Sequence, residues 1–311
     1  MADEWLRTGI GRSTPDAITV RGRDLATELM GKVTFTELAF FLTANRMPSP
    51  GEARLFDAAL VALADHGLTP SVLAARLTWT GATESLQGAV AAGLLGAGNV
   101  FLGVVEDTAR FLAAILTRPP PAPTDAAPSD AAPSDAAPSD AAPLDAAPSD
   151  AALSDAGPSE EVRRAAEAAV GAEITAGRRI PGLGHPTHKV EDPRTPRLYA
   201  IAAEAGIPTP HLDLLRLVAE AHAAATGKVL PINGAGVAGA AWADLGFPPE
   251  IIRGFALLAR TAGLIGHLAE EMEHPIGLRL WQDVEHRATY TGSRRPCRGD
   301  TPQPPGHTAE P

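Results

Sequence analysis

The chain has 311 residues, 45% of them hydrophobic, and a formal net charge of −11, enough apolar content for a large core in one or two domains. Seven aspartates between residues 119 and 159, with no lysine or arginine among them, carry most of that charge. The remainder is −4, without the basic footprint of a nucleic-acid binder. The lone cysteine, Cys297, excludes an intrachain disulfide and fits a reducing cytoplasm. No apolar run is read as a transmembrane span and no basic-then-apolar leader opens the chain, so a soluble cytoplasmic protein without membrane contact is expected.

Residues 1–31 read as an extended or irregular start, with a short helix at 24–30. Thr34 followed by Glu37 is a capping-box pattern, and Phe35, Leu38, Ala39 and Leu42 follow at helical spacing. Ser49-Pro50-Gly51-Glu52 repeats the signal, with Pro50 at the favoured first helical position. That helix stops near Asp65-His66-Gly67. Thr69-Pro70 opens another, running through about Thr80. Residues 82–98 are small and apolar, which predicts a buried segment, and a further helical pattern ends at Arg118.

Residues 119–158 repeat the five-residue unit DAAPS, whose only large apolar groups are Leu144 and Leu153. Proline every fifth residue prevents a continuous helix, and too little surface can be buried to offset chain entropy. A disordered insert is expected. Closing so long a loop costs little more than closing a short one, so the flanking elements can still be neighbours.

Helix signals resume at Ser159-Glu160-Glu161 and run to Gly177. Further helices are predicted at 197–206, from Thr209-Pro210 to Thr226, and over the very apolar 251–272 after Pro248-Pro249-Glu250. A tail from 291 reads as disordered. With no alternating strand pattern in the chain, the predicted fold is all-α, of roughly ten or more helices.

The chemistry concentrates in residues 180–194, IPGLGHPTHKVEDPR. Gly182 and Gly184 free the backbone of a loop set between helices, so that Gly182, Leu183 and Gly184 can approach a ligand closely. His185 can hydrogen-bond a carbonyl or hydroxyl, or change charge near neutral pH, and Arg194 offers a planar fork to a carboxylate or phosphate. His185, His188 and Glu191 have the spacing of a metal set, but no helix aligns them, and no metal is predicted. His66 sits at a helix boundary, where capping or surface roles are usual. On the 251–272 helix, Arg253, Arg260 and His267 recur every seven residues and share one stripe. The pattern leaves open whether it faces solvent or a polar cavity, where arginines would favour a polycarboxylate or phosphate.

Gly234, Gly236 and Gly239 fit the G-x-G-x-x-G of dinucleotide-binding proteins, which gives a rival reading as an NAD(P)-linked oxidoreductase. Pro231 interrupts the strand that reading needs, and no parallel strands alternate with helices around it. Glycines packed at a helix start are the simpler explanation.

The string G-x-G-H-x-x-x-K-x-x-D-P-R at 182–194 resembles the oxaloacetate-site loop of the citrate synthase superfamily. Four more stretches fall in the same order. ADHGLTPSVLAAR (64–76) looks like the family's A-D-H-x-x-x-x-S segment, and LLGAGNVFLGVVE (94–106) stands where a G-P-L-H-G-G-A-N-E-like stretch belongs. LPINGAG (230–236) stands at N-V-D-x-x-x-G. ALLARTAGLIGHL (256–268) is similar to the S-R-x-x-G helix and, more closely, to the citryl-CoA-cleaving domain of ATP-citrate lyase.

The resemblance implies a citrate-synthase-like, all-helical homodimer. Its large domain would comprise 1–103 and 241–290, and a smaller mobile domain 104–240. The cleft between them would take acyl-CoA with oxaloacetate, or citryl-CoA, and the CoA thioester would be a substrate, with no cofactor bound permanently. By the same resemblance His66 and His185 contact the oxaloacetate or citryl group, Arg194, Arg260 and more loosely Arg279 pair with carboxylates, and Gly182, Leu183 and Gly184 lie along CoA. Two residues depart from the pattern. Phe101 stands in place of the histidine that bonds the acetyl-CoA carbonyl, as it does in the ATP-citrate lyase domain, and Asn233 in place of the aspartate that handles the acetyl methyl proton. An amide is no general base near neutral pH, and loss of such a group typically removes about 10²–10⁴-fold of rate. A citrate synthase or citryl-CoA lyase type of enzyme is expected, the alternative being a non-catalytic or altered-specificity homologue that binds acyl-CoA or carboxylates.

Overall fold

The computed structural model describes residues 6–117 and 159–292. The expected insert at 119–158 lies outside them, as do Cys297 and all of the tail but 291–292. Among the described residues there are eleven α-helices: α1 (Phe35–Ala44), α2 (Pro50–Ala64), α3 (Pro70–Gly81), α4 (Leu86–Leu95), α5 (Val104–Thr117), α6 (Glu160–Thr175), α7 (Arg194–Glu204), α8 (Pro210–Thr226), α9 (Gly234–Asp244), α10 (Pro249–Glu273) and α11 (Gly277–Arg287). The fold is helical as the sequence predicts. Both capping boxes form: Thr34 and Glu37 cap α1 reciprocally, Ser49 and Glu52 cap α2, and Pro50 takes the first turn of α2.

Three features differ from expectation. The start of the chain holds a small antiparallel sheet, β1 (Gly11–Ser13), β2 (Ile18–Val20) and β3 (Arg23–Asp24), in the order β1-β2-β3. A wide π-helical turn at Leu25–Leu29 follows, capped by Asp24. The segment predicted to be buried at 82–98 is α4, of which only Ala89 and Gly93 are buried, while Leu95 is 83% exposed. Small side chains mark close approach on one edge of that helix and say nothing of the rest. Finally, α10 is by length and composition apolar enough to cross a membrane, contrary to the expectation from the sequence, though 39% of its most apolar window is buried inside the protein. It packs against α2, α3, α4, α5 and α9.

The core is built around five aromatic rings. Phe56 of α2 lies 5.5 Å from Phe40 of α1 and 4.9 Å from Phe255 of α10, both edge-on, and Trp242 of α9 and Phe247 close the cluster. Such pairs contribute about 0.5–1.5 kcal/mol each beyond their buried area. The same core runs on through Val105, Leu112, Leu215 and Val218, so the boundaries predicted at 103/104 and 240/241 are both crossed by one apolar cluster. A smaller cluster of Val72, Ala75, Ala89, Leu264 and Leu268 joins α3, α4 and the second half of α10.

Glycine sets how closely α9 approaches its neighbours. A Cβ on Gly236 would lie 2.5 Å from Gly182 Cα, and one on Gly239 would strike the Val105 carbonyl. The G-x-G-x-x-G pattern is thus a helix-packing surface. The chain before it forms a single antiparallel bridge, Leu183 with Ile232, rather than a strand of a parallel sheet, which removes the basis of the dinucleotide reading.

Candidate active site

A cleft of about 1100 Å³ opens where the end of α2, the start of α3, the Gly98–Gly103 turn, the 178–189 loop, the start of α9 and the middle of α10 meet. Its lining includes His66, Phe101, Gly182, Leu183, Gly184, His185, His188, Arg194, Asn233 and Arg260. The structure therefore brings together every residue proposed from the sequence except Arg279, which lies exposed on α11 and outside this lining. Within one chain Arg279 is not an anion ligand of the cleft.

The loop carrying His185 is fastened to the start of α9. Gly184 N–H donates to Pro231 O at 2.7 Å and Asn233 N–H to Gly182 O at 2.9 Å. Positive φ at Gly182 and Gly184, +82° and +80°, allows the turn. The amides of Leu183 and Gly184 are both engaged internally, with Ile180 O and Pro231 O. The segment therefore offers a close-approach surface rather than free amide donors.

Asn233 is the N-cap of α9. Its Oδ1 accepts from Gly236 N at 2.8 Å and its Nδ2 donates to Gly184 O at 2.8 Å. At this position the amide acts as a brace between helix and loop.

Asp192, which the sequence reading passed over, is wholly buried and forms the centre of a second brace. Its carboxylate accepts from Arg194 Nε at 2.9 Å, Arg194 Nη2 at 2.7 Å and Gly234 N at 2.8 Å. Burial pushes its pKa up, but the Arg194 hydrogen bonds and charge, with the amides of Arg194 and Gly234, outweigh burial and bring it down to about 2. Arg194 Nη1 also donates to Ala62 O at 3.2 Å. A side chain on Gly234 would collide with the Arg194 guanidinium. Arg194 is thus held mainly as a structural ion pair, with its charge at the cleft wall. The signal for Asp192 was its place two residues before an arginine, at a helix start.

Arg260 differs. It is only 6% exposed, and its Nε and Nη1 are buried without a hydrogen-bond partner. Burial, and then the nearby Arg194 charge, hold its pKa below the ordinary arginine value, against the opposing pull of Asp65. A desolvated guanidinium with open donors on a cleft wall is a site for an anion. The stripe of Arg253, Arg260 and His267 therefore serves three surroundings, since Arg253 bonds Asn99 at 2.8 Å and His267 bonds Asp65.

Three imidazoles meet in the cleft that Arg260 also lines. Ring centroids are 5.2 Å apart for His66 and His185, 5.6 Å for His66 and His188, and 4.5 Å for His185 and His188. The backbone N–H groups of Thr187 and His188 both donate to His185 Nδ1, at 3.0 Å. Those bonds require a lone pair on Nδ1, so the neutral ring carries its proton on Nε2 and is a hydrogen-bond donor. Burial, followed by His188, lowers the His185 pKa; burial, followed by Arg194 and His188, lowers that of His66. The ring nitrogens of the three lie within 4.8 Å of one another, close enough for a metal ion. The fixed Nδ1 of His185 does not suit it: a neutral ring cannot point one lone pair at two amides and another at a metal. Glu191 is exposed and outside the group.

Behind His66 runs a chain of polar contacts unseen in the sequence. Arg76 is buried and donates to Glu271 at 2.9 Å and to His267 Nδ1 at 3.0 Å, and it also meets Glu270. With Nδ1 accepting, His267 donates through Nε2 to Asp65 Oδ1 at 2.8 Å, while Asp65 Oδ2 accepts from Gly67 N. The turn holding His66 is thereby tied to α3 and α10.

A family model for the citrate synthase C-terminal domain matches residues 145–280. A citrate synthase-like protein of Aspergillus oryzae, oryE, is 32% identical over 128 residues, which are 39% of this chain and 28% of that protein, so the chain spans less than a third of that relative. Citryl-CoA lyase from Hydrogenobacter thermophilus is similar over 97% of both chains, with a TM-score of 0.71 and 28% identity. ATP citrate lyase from Methanothrix soehngenii, solved with citrate and coenzyme A, gives a TM-score of 0.67 at 22% identity over 93% of this chain and 42% of that one. Citrate synthase from Thermoplasma acidophilum, with carboxymethyl coenzyme A and oxaloacetate, gives 0.56 at 18% over 89% and 59%. These last two show the fold alone. Residues 145–280 thus match the citrate synthase C-terminal domain, and the chain has the fold of citryl-CoA lyase over nearly its whole length.

Proposed function

We propose that the cleft makes or breaks the carbon–carbon bond between an acetyl-CoA unit and oxaloacetate, citryl-CoA being the simplest joined form. The observation that carries this reading is the pairing, in one cleft, of a neutral His185 with its N–H fixed on Nε2 and a buried Arg260 with open donors. In cleavage the citryl hydroxyl becomes a keto group as the bond to the acetyl carbon breaks. In condensation the keto group takes the incoming electron pair. Either way charge develops on that oxygen, and a preorganised N–H donor beside it is typically worth about 10²–10³-fold in rate. Arg260 binds a carboxylate of the same molecule, with the Arg194 charge nearby. Phe101 covers the thioester end, Gly182, Leu183 and Gly184 let the thioester pass close to the backbone, and Arg179 and Lys189 line the cleft within reach of anionic groups. The reading calls for no resident cofactor.

The wider organisation is proposed with it: a homodimer in the cytoplasm, in which residues 104–240 move relative to the rest when substrate binds. Support for a second copy comes from the apolar side chains left exposed on α10 and α11, among them Ile265, Met272, Leu278 and Trp281. An interface between copies would cover such side chains.

One observation favours a second reading. Asn233 has no acidic group and both ends of its amide are bound to backbone, as expected of a homologue that binds acyl-CoA and carboxylates without turnover. An assay of the purified protein with citryl-CoA, and separately with acetyl-CoA plus oxaloacetate, decides between them. Thermal protection by these ligands without product would establish the binding-only form.

A further inference from the structure

Bond cleavage of this kind moves a proton. The hydroxyl proton must leave oxygen as the carbonyl forms, and the thioester enolate must gain a proton on carbon. Two of the cleft's polar residues are unsuited to that task. Asn233 does not ionise near neutral pH, and its Oδ1 and Nδ2 hold Gly236 N and Gly184 O. His185 has its Nδ1 lone pair fixed by two amides, which suits a donor and not a base.

His66 and His188 stand in a different relation. They come from residues far apart in sequence, the end of α2 and the 178–189 loop, yet their Nε2 atoms meet at 3.4 Å across the cleft wall. Two N–H groups cannot face each other at that distance, and two lone pairs repel. One Nε2 therefore carries a hydrogen and the other accepts it. The pair is a one-proton couple opening onto the cleft that holds Arg260.

We propose that His66 and His188 form the acid–base couple of the reaction, and that His188 is its carbon-side member. This rests on the function proposed above. In the cleavage direction His66 accepts the hydroxyl proton while the carbon–carbon bond breaks and its electron pair passes into the thioester enolate. In the same step His188 delivers its Nε2 proton to the enolate carbon, forming the acetyl methyl group, so the contact still holds one hydrogen, now on His66. The proton on His66 then crosses the Nε2–Nε2 contact to His188, so the couple ends with the hydrogen count it began with. One proton has moved from oxygen to carbon, and no co-reactant is needed. Condensation runs the same steps backwards. The charged groups facing the couple are Arg194 and Asp192 beside His66, and Lys189, whose Nζ is held on the His185 carbonyl at 3.0 Å.

The ring of His188 can be removed while the hydrogen bond on His185 Nδ1 is kept, because it is the backbone N–H of His188 that makes it. His188→Ala and His188→Gln should both cut the rate of acetyl-CoA release from citryl-CoA by about 10²–10⁴-fold. Protection against thermal unfolding by citryl-CoA should stay at the wild-type level, and added imidazole should restore part of the rate of His188→Ala. The inference is overturned if either variant keeps the wild-type rate, or if a loss in His188→Ala is not relieved by imidazole while the folded protein still binds substrate. Absence of turnover in the wild-type protein, in either direction, would instead remove the function itself, and this couple with it.

Discussion

The Asn233 side-chain amide donates to the Gly184 carbonyl at 2.8 Å, joining the first residue before α9 to the turn that presents His185. A carboxylate at 233 has no proton to donate and would set a negative oxygen against that carbonyl. Its other oxygen would keep the cap on Gly236 N, where a helix start favours the ionised form and makes a weak base. Asn233→Asp is therefore expected to lose about 1–3 kcal/mol of stability and to gain little exchange of acetyl methyl protons with solvent deuterium. Denaturant melts of the two proteins, with exchange followed on the folded fraction, check this. An Asp variant as stable as wild type would show that the Gly184 contact contributes nothing.

Arg260 is a buried cation whose Nε and Nη1 lack partners. A charge in that state weakens the empty fold and strengthens the liganded one. Arg260→Met should raise the melting temperature of the ligand-free protein, by about 1–4 kcal/mol in stability. It should also abolish the protection given by oxaloacetate or citrate. Calorimetry with and without citrate reads both effects. If the Met variant were still protected like wild type, the anion would be bound elsewhere.

The titration of the cleft divides into two pH windows. His66 and His185 have pKa values lowered by burial first, then by Arg194 and His188 for His66, and by His188 for His185. The unfolded chain therefore binds more protons than the folded one just below the ordinary histidine value of about 6.5. Stability is unaffected by these groups above that value and falls as pH drops through it toward the folded-state pKa. Asp192 behaves as a depressed carboxylate: the stability it contributes is full above its ordinary 3.8 and is lost as pH falls toward about 2. Melting temperatures measured from pH 8 to about pH 2 should show both steps. His66→Gln combined with His185→Gln should flatten the upper one alone, and Asp192→Asn the lower one alone.

Arg76 and Glu271 form an ion pair with both side chains buried. Glu271 also accepts from the amides of Ile276 and Gly277 at the α10–α11 corner. Arg76→Met would leave that carboxylate unpaired and is expected to cost about 3–5 kcal/mol. It would also release His267, and through it Asp65 beside His66, so any turnover of the variant should fall along with its stability. Urea denaturation at neutral pH is the direct check, and a loss below about 1 kcal/mol would mean that the pair is solvated.

The helices were legible where local chemistry determines them. Thr34 with Glu37, Ser49 with Pro50 and Glu52, and the proline-started α3, α8 and α10 all appear as the sequence predicts. The first three strands were not, because none exceeds three residues, too few for a period of two to show. The face buried by α4 was also hidden: alanines and glycines permit close packing without specifying the side on which it occurs. In the cleft, the 182–194 motif announced His185 and Arg194. The contacts that set their roles span the chain: His66 and His188 are 122 residues apart, and Arg76 and Glu271 195. Their partners are chosen by the packing of α2, α3 and α10 against the loop, which no local pattern encodes.

The central claim is tested most directly by mixing the purified chain with citryl-CoA, without added nucleotide, and following acetyl-CoA and oxaloacetate together. The account predicts that the two appear in equal amounts, at a rate that His185→Ala lowers by about 10²-fold or more. Citryl-CoA that stays intact, or that yields free CoA and citrate by hydrolysis with no acetyl-CoA, would contradict it.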